Sequence, residues 1–283
     1  MEKFKGMLLV SDFDGTFTSR VPENYKKNVE AIEKFKRGGG LFAFATGRDY
    51  HSLLAIEPEF ENISNAPVII SNGARLYNTR KKEYIISHTL DLNLFSGFLE
   101  ILYSLYPETG VRFSCEGGLV TSDLNEILKD DLADIFMRDT TVRVMPFDEL
   151  AASGENVYKC VMVNKPEITD RLKELAVSFC EQNAEAGRGI CFTKSYARGL
   201  EAVNKNASKG ATAKKLKEYL SGRDGFEYKL YAIGDYDNDL DMIKFADCGA
   251  APSSALEEVK KAASVITAAC DDGALADFID KIG

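Results

Sequence analysis

From residue 7 the chain carries a short unbroken apolar run (MLLVS, 7–11) that stops in the acidic turn Asp12-Phe13-Asp14-Gly15-Thr16. A run this short, without polar alternation, predicts a strand buried on both faces, and the Asp and Gly behind it predict a tight loop. Tyr25, Val29, Ile32 and Phe35 then recur at steps of four, three and three, and Gly38-Gly39-Gly40 follows. That spacing is one face of a helix, and the glycines stop it. Residues 41–45 (LFAFA) form a second apolar run. Strand, helix and strand in this order predict a βαβ unit in a parallel sheet covered on both faces. Near the other end, residues 230–234 (LYAIG) repeat the grammar and stop at Asp235, between helical stretches at 208–220 and 254–263, with a last helix at 273–282.

The middle of the chain reads differently. Hairpin-like runs at 83–87, 111–114, 119–122 and 142–146 alternate with helical stretches at 91–106 and 167–182, and further strands are expected at 157–164 and 189–193. Asp91 and Asp123 stand where N-caps of the first two helices belong. The pattern predicts an α+β segment at 81–194 inserted into an α/β core formed by 1–80 and 195–283. No internal repeat or low-complexity tract occurs.

Composition narrows the function classes. Lys and Arg number 35 against 44 Asp and Glu, a formal charge of −9, which argues against a broad nucleic-acid or anionic-membrane footprint. With 45% hydrophobic residues, 28% charged and 7 Pro, the chain is globular and not disordered or collagen-like. No apolar stretch approaches the roughly 18–20 residues of a membrane span. Residues 1–6 are polar and do not resemble a secretory signal. The six cysteines (115, 160, 180, 191, 248 and 270) include no CxxC pair, so reduced thiols in a cytoplasmic protein are expected before a disulfide framework or a zinc site.

Enzymes with parallel sheets place their chemistry at the carboxyl ends of strands, and Asp12, Thr46 and Asp235 each sit at such an end. Four segments line up in order: Asp12-Phe13-Asp14-Gly15-Thr16, Ala45-Thr46-Gly47-Arg48, Ser208-Lys209-Gly210 and Gly234-Asp235-Tyr236-Asp237-Asn238-Asp239. Each alone has a plain structural reading as a turn, a cap or an acidic first helical turn. Jointly they resemble the four motifs of the haloacid dehalogenase superfamily, over nearly the whole chain. A calcium loop is rejected, because the positions that need Gly and Glu hold Leu240 and Ala246 in one candidate and Phe17 in the other. Neither a dinucleotide fingerprint nor a P-loop occurs.

Spacing points to the subtype. Asp14 and Thr46 are 32 positions apart, whereas 163 separate Thr46 from Lys209, so an inserted cap belongs in the second interval. Its α+β texture resembles the type IIB (C2B) cap of the Cof-like phosphatases, and so do Ile70-Ser71-Asn72-Gly73-Ala74, Gly199-Leu200-Glu201-Ala202 and 271–276 (DDGALA). The resemblance implies a Rossmann-like core with a parallel sheet and an inserted α+β cap. It also implies a Mg²⁺-dependent phosphatase for a small phosphorylated metabolite, sugar phosphate first. Where many relatives carry Gly-Asn-Ala, this chain has 251–255 (APSSA), and Ser253 or Ser254 is expected to serve there as an N-cap.

The implied roles follow residue by residue. A phosphoryl group is ringed by negative oxygens, so an attacking carboxylate needs a cation and a lysine beside it. Asp12 is the implied nucleophile and Asp14 the general acid and base. The Asp12 and Asp235 carboxylates and the Asp14 backbone carbonyl are the implied Mg²⁺ ligands, with Asn238 or Asp239 direct or behind them. Thr46, Gly47 and Lys209 are the implied phosphate contacts. Arg48 reads as an ion-pair partner, Asn72 as lining the pocket floor or holding the turn toward the cap, and Glu201 as pairing with a basic residue near the hinge. His51 and His88 have no neighbouring ligand set. A phosphotransferase of the phosphomannomutase type would use the same nucleophile, and a pocket protein without turnover would have lost one of these carboxylates or the lysine.

Overall fold

The computed structural model describes residues 2–133 and 142–283. The chain opens with β1 (Met7–Asp12), α1 (Pro22–Arg37), β2 (Leu41–Ala45), α2 (Tyr50–Ile56), α3 (Phe60–Ile63), β3 (Val68–Ile70), β4 (Arg75–Asn78) and β5 (Glu83–Ser87). The middle carries α4 (Leu92–Leu105), β6 (Gly110–Cys115), β7 (Gly118–Thr121), α5 (Glu126–Ala133), β8 (Val142–Val144), α6 (Phe147–Ala152), β9 (Val157–Val163), α7 (Pro166–Gln182), α8 (Ala184–Gly189), β10 (Ile190–Tyr196) and β11 (Gly199–Asn204). It closes with α9 (Lys209–Asp224), β12 (Lys229–Ile233), α10 (Leu240–Phe245), β13 (Cys248–Pro252), α11 (Glu257–Ala262), β14 (Val265–Thr267) and α12 (Ala274–Ile282). Two compact units result, the first of Met1–Gly47, Pro58–Ile86 and Ser208–Gly283 and the second of Arg48–Glu57 and Ser87–Ala207.

The first unit is built on a sheet of order β14-β13-β12-β1-β2-β3-β4-β5. From β14 to β3 the neighbours are parallel, and β4 turns back antiparallel on β3. β1 lies near its centre, so both its faces are covered, and Leu8, Leu9 and Val10 are fully buried. Leu8 and Val10 pack with Ala43, Ala45 and the α9 residues Ala213 and Leu216. An aromatic cluster sits behind the acidic turn, where Phe44 meets Phe13 and Phe17 with ring centroids 5.4 and 4.8 Å apart. Register sets the strand ends level: Ser11 pairs with Ile233, and Asp12 with Ala45. The turn after β1 and the loops after β2 and β12 therefore leave the sheet side by side.

The second unit has a sheet of order β10-β11-β9-β6-β7-β8. From β10 to β7 the neighbours are antiparallel, β8 joins β7 in parallel, and side chains alternate between an apolar and a polar face. Phe113, Cys160, Met162, Leu200 and Ala202 join Phe95, Phe98, Leu172 and Phe179 of α4 and α7 in one core. The opposite face is polar but buried. There Arg112 meets Asp131 of α5 at 3.0 Å, Tyr196 donates to the same carboxylate at 2.9 Å, and Lys159 meets Glu201 at 3.2 Å.

Several expectations are corrected. The units divide after residues 86 and 207, not after 80 and 194, because β11 pairs with both β10 and β9 and cannot leave their sheet. Residues 48–57 join the second unit. Asp91 caps α4, accepting from Asn93 N at 2.9 Å and Leu94 N at 3.2 Å. Asp123 caps nothing, since α5 starts at Glu126 and Asn125 accepts from Leu128 N at 2.9 Å. Neither Ser253 nor Ser254 caps a helix: α11 starts later, behind Leu256, and Ser254 Oγ instead accepts from Cys270 N at 3.2 Å.

Two substitutions should separate an exposed cap from a buried ion pair. Asp91→Ala is expected to cost ~1 kcal/mol, and Glu201→Ala, which strands the buried Lys159 ammonium, ~3 kcal/mol or more. Urea unfolding followed by a probe in the second unit checks both, and equal losses would contradict the assignment.

Candidate active site

Asp12 ends β1 and is 4% exposed. Its Oδ1 accepts a hydrogen bond from Lys209 Nζ at 2.6 Å, while its buried Oδ2 has no hydrogen-bond partner. Lys209 opens α9, is 1% exposed, and donates a second bond to Asp239 Oδ1 at 2.8 Å. Asp239 Oδ2 accepts from the backbone N–H groups of Asp235 at 3.0 Å and Tyr236 at 3.2 Å. Both oxygens of Asp239 are thereby committed to holding the lysine and the loop behind β12. Asp235 is tied to the first loop, its Oδ1 accepting from Thr16 Oγ1 at 3.1 Å. Gly15 makes that approach possible: its φ is 79°, and a Cβ there would lie 2.5 Å from Asp235 Oδ2. Thr16, within the first motif, has no task legible in the sequence and joins the site through this contact with Asp235 alone.

Three carboxylates surround one ammonium, and their electrostatics follow. Burial, opposed by Lys209 and reinforced by Asp239, Asp235 and Asp14, holds the Asp12 carboxyl well above the usual range. Burial and the Asp239 charge push Asp235 up to about 7. Burial alone would lower Lys209, but Asp12 and Asp239 outweigh it and hold its pKa above the ordinary value. Lys209 thus stays protonated, and the cluster favours retaining a proton because one ammonium cannot offset three clustered carboxylates, two of them buried. One carboxylate oxygen from each of Asp12, Asp235 and Asp239 lies within 4.8 Å of the others. An unpartnered buried oxygen and an excess of negative charge fit a hard divalent cation.

The other expected residues fall as follows. Asp14 is exposed on the turn with extended backbone. Thr46 is buried, with its N–H on Ile69 O at 2.9 Å and its carbonyl accepting from Asn72 N at 3.0 Å. Asn72 has φ 54° and its Oδ1 accepts from Asn238 Nδ2 at 3.0 Å, so the loops behind β2, β3 and β12 are stitched together. A Cβ on Gly47 would come within 3.2 Å of that Oδ1. Arg48 belongs to the second unit and donates to Ser52 Oγ at 3.3 Å. Glu201 pairs with Lys159 inside the second sheet and not at a hinge. His51 lies on α2, edge-on to Tyr50.

Residues 9–279 match the family model of the haloacid dehalogenase-like hydrolases. The chain belongs to that family. Several curated relatives that it matches over nearly their whole length are named phosphatases. The chain is 25% identical over 291 residues to a Bacillus subtilis protein named 5-amino-6-(5-phospho-D-ribitylamino)uracil phosphatase, with 96% of each chain covered. The crystal structure of a haloacid dehalogenase-like hydrolase from Bacteroides thetaiotaomicron superposes with a TM-score of 0.74 at 25% identity, covering 98% of this chain and 99% of that one. A IIB sugar phosphatase shares the fold, with a TM-score of 0.77 at 21% identity and coverage of 98% and 99%.

The raised carboxyls make stability depend on pH with a defined sign. A raised pKa means that the native state keeps a proton the unfolded chain releases, so its contribution is full below the ordinary 3.8 and is lost as pH rises through about 7. The melting temperature of the cation-free protein should therefore fall between pH 5 and 8 (a range set about the Asp235 titration). Millimolar Mg²⁺ should raise it by an amount that grows over the same interval. Calorimetry with and without the cation tests this, and a Mg²⁺ shift independent of pH would count against the cluster as the cation site.

Proposed function

We propose that the protein is a Mg²⁺-dependent phosphomonoesterase that hydrolyses a small phosphorylated metabolite through an aspartyl-phosphate on Asp12. The observation that carries this reading is the buried Asp12 carboxylate, one oxygen held by Lys209 and the other without a partner. Asp12 attacks phosphorus, forming the acyl phosphate as the bond to the alcohol oxygen breaks. Asp14, exposed on the turn, gives its proton to the departing alkoxide and then takes one from the water that opens the acyl phosphate. Lys209 offsets the charge gathered on the phosphoryl oxygens and on Asp12, and Thr46 and Gly47 present a hydroxyl and an unencumbered backbone to the phosphate.

The Asp12 and Asp235 carboxylates with the Asp14 carbonyl would hold Mg²⁺, which when bound would neutralise phosphoryl charge. Asp239 holds Lys209 and the loop behind β12, and the second lone pair of its Oδ1 lets it join the ligands of the cation as well. Sugar and sugar-alcohol phosphates head the substrate class, a choice supported by the phosphoribityl compound in the name of the Bacillus subtilis relative. A cytoplasmic location is part of this proposal. No helix among the described residues is long and apolar enough to cross a membrane.

Asp12→Asn is expected to abolish turnover of an aryl phosphate. Asp14→Asn should lower kcat by about 10²–10⁴-fold and prolong the life of the phosphoenzyme. Steady-state assays and acid-quenched labelling check these, and normal activity in Asp12→Asn would sink the mechanism. Given a hexose 1-phosphate, the enzyme should release inorganic phosphate; isomerised sugar phosphate would instead indicate transfer.

A further inference from the structure

Lys209 sits at the first position of α9, and that first turn is gripped from two sides within the first unit. On one side a Cβ on Gly73, whose φ is 89°, would lie 2.2 Å from the Ser208 carbonyl oxygen, and Thr212 Oγ1 donates to Gly73 O at 2.8 Å. On the other, a Cβ on Gly210 would lie 2.6 Å from the backbone of Asp241 and Met242. The first N–H groups of a helix have no partner within it. Here Ser208 Oγ accepts from Ala211 N at 3.1 Å, and Asp241 Oδ1 accepts from Gly210 N at 3.1 Å.

Asp241 stands two residues beyond Asp239, the acceptor of the Lys209 ammonium. One short segment behind β12 thus holds the lysine at both ends: Asp239 takes the head group, and Asp241 takes the backbone of the next residue. A lysine side chain has four rotatable bonds, so acceptors at its tip fix the ammonium only if its root is fixed as well. We infer that Asp241 is a positioning residue that pins the first turn of α9 and through it sets the Lys209 ammonium between Asp12 and Asp239. Its effect on turnover rests on the proposed function, whereas its effect on the ammonium does not.

Two readouts test this in the full chain. The Lys209 ammonium is observed by ¹⁵N NMR, assigned through its loss in Lys209→Arg, and its proton exchange is measured. Hydrolysis of an aryl phosphate with Mg²⁺ is measured alongside, well below the melting temperature. Asp241→Ala should speed ammonium exchange about tenfold or more and lower kcat about tenfold with little change in KM, as for a displaced catalytic group. Asp241→Asn keeps an oxygen acceptor for Gly210 and should stay within about threefold of the parent in both. If Asp241→Ala does not fold, Asp241→Ser, whose hydroxyl is too short to span to Gly210, carries the same expectations. A lowered melting temperature with unchanged ammonium exchange would overturn the inference, since a purely structural cap behaves so. If the parent protein turns over no phosphate ester, the proposed function falls and the exchange measurement alone decides.

Discussion

The contact on which the first unit depends is the buried ammonium of Lys209 between Asp12 and Asp239. Taking an ammonium out of water is costly unless carboxylates and good geometry repay it. The fold repays it with an excess: Asp12 and Asp239 hold the ammonium, and an Asp235 oxygen lies within 4.8 Å of theirs. The remaining imbalance is what a second cation would relieve. One oxygen of Asp12 has no partner for the same reason, because the chain supplies one lysine where the carboxylates call for more positive charge.

The parallel sheet makes this convergence possible. β1 is flanked by β2 and β12 in matched register, so Asp12, Thr46 and Asp235 emerge at one edge from segments far apart in sequence. Close approach then matters more than reach. Gly15 admits Asp235, Gly210 admits the start of α10, and Gly73 admits the start of α9. At Gly15 and Gly210 a methyl group would collide with an aspartate, and at Gly73 with the Ser208 backbone that leads into α9.

Much of the scaffold was legible along the chain. β1, α1, β2 and β12 follow from runs and spacings because a doubly covered strand and an amphipathic helix write their environments into consecutive residues. β5, α4 and α7 lie within a residue or two of their expected ends for the same reason. β11 was legible only as a motif. Its place in the second sheet comes from pairing with β9 and β10, which moved the unit boundary past it. The cap of α5 passed from Asp123 to Asn125 because the start of that helix is set by Leu128 turning into the core, where it is fully buried.

The order and spacing of the acidic, threonine and lysine motifs determined by themselves the family, the class of chemistry and the candidate residues, since these depend on residue types at strand ends. The folded chain decided which groups the aspartates contact. Lys209 reaches Asp12 across 197 positions and Asp239 across 30, and Thr16 reaches Asp235 across 219. Which oxygen is taken and which is left without a partner are properties of those long-range contacts. Local sequence carries no record of them, because a hydrogen bond between distant segments is set by sheet register and helix packing and not by neighbouring residues.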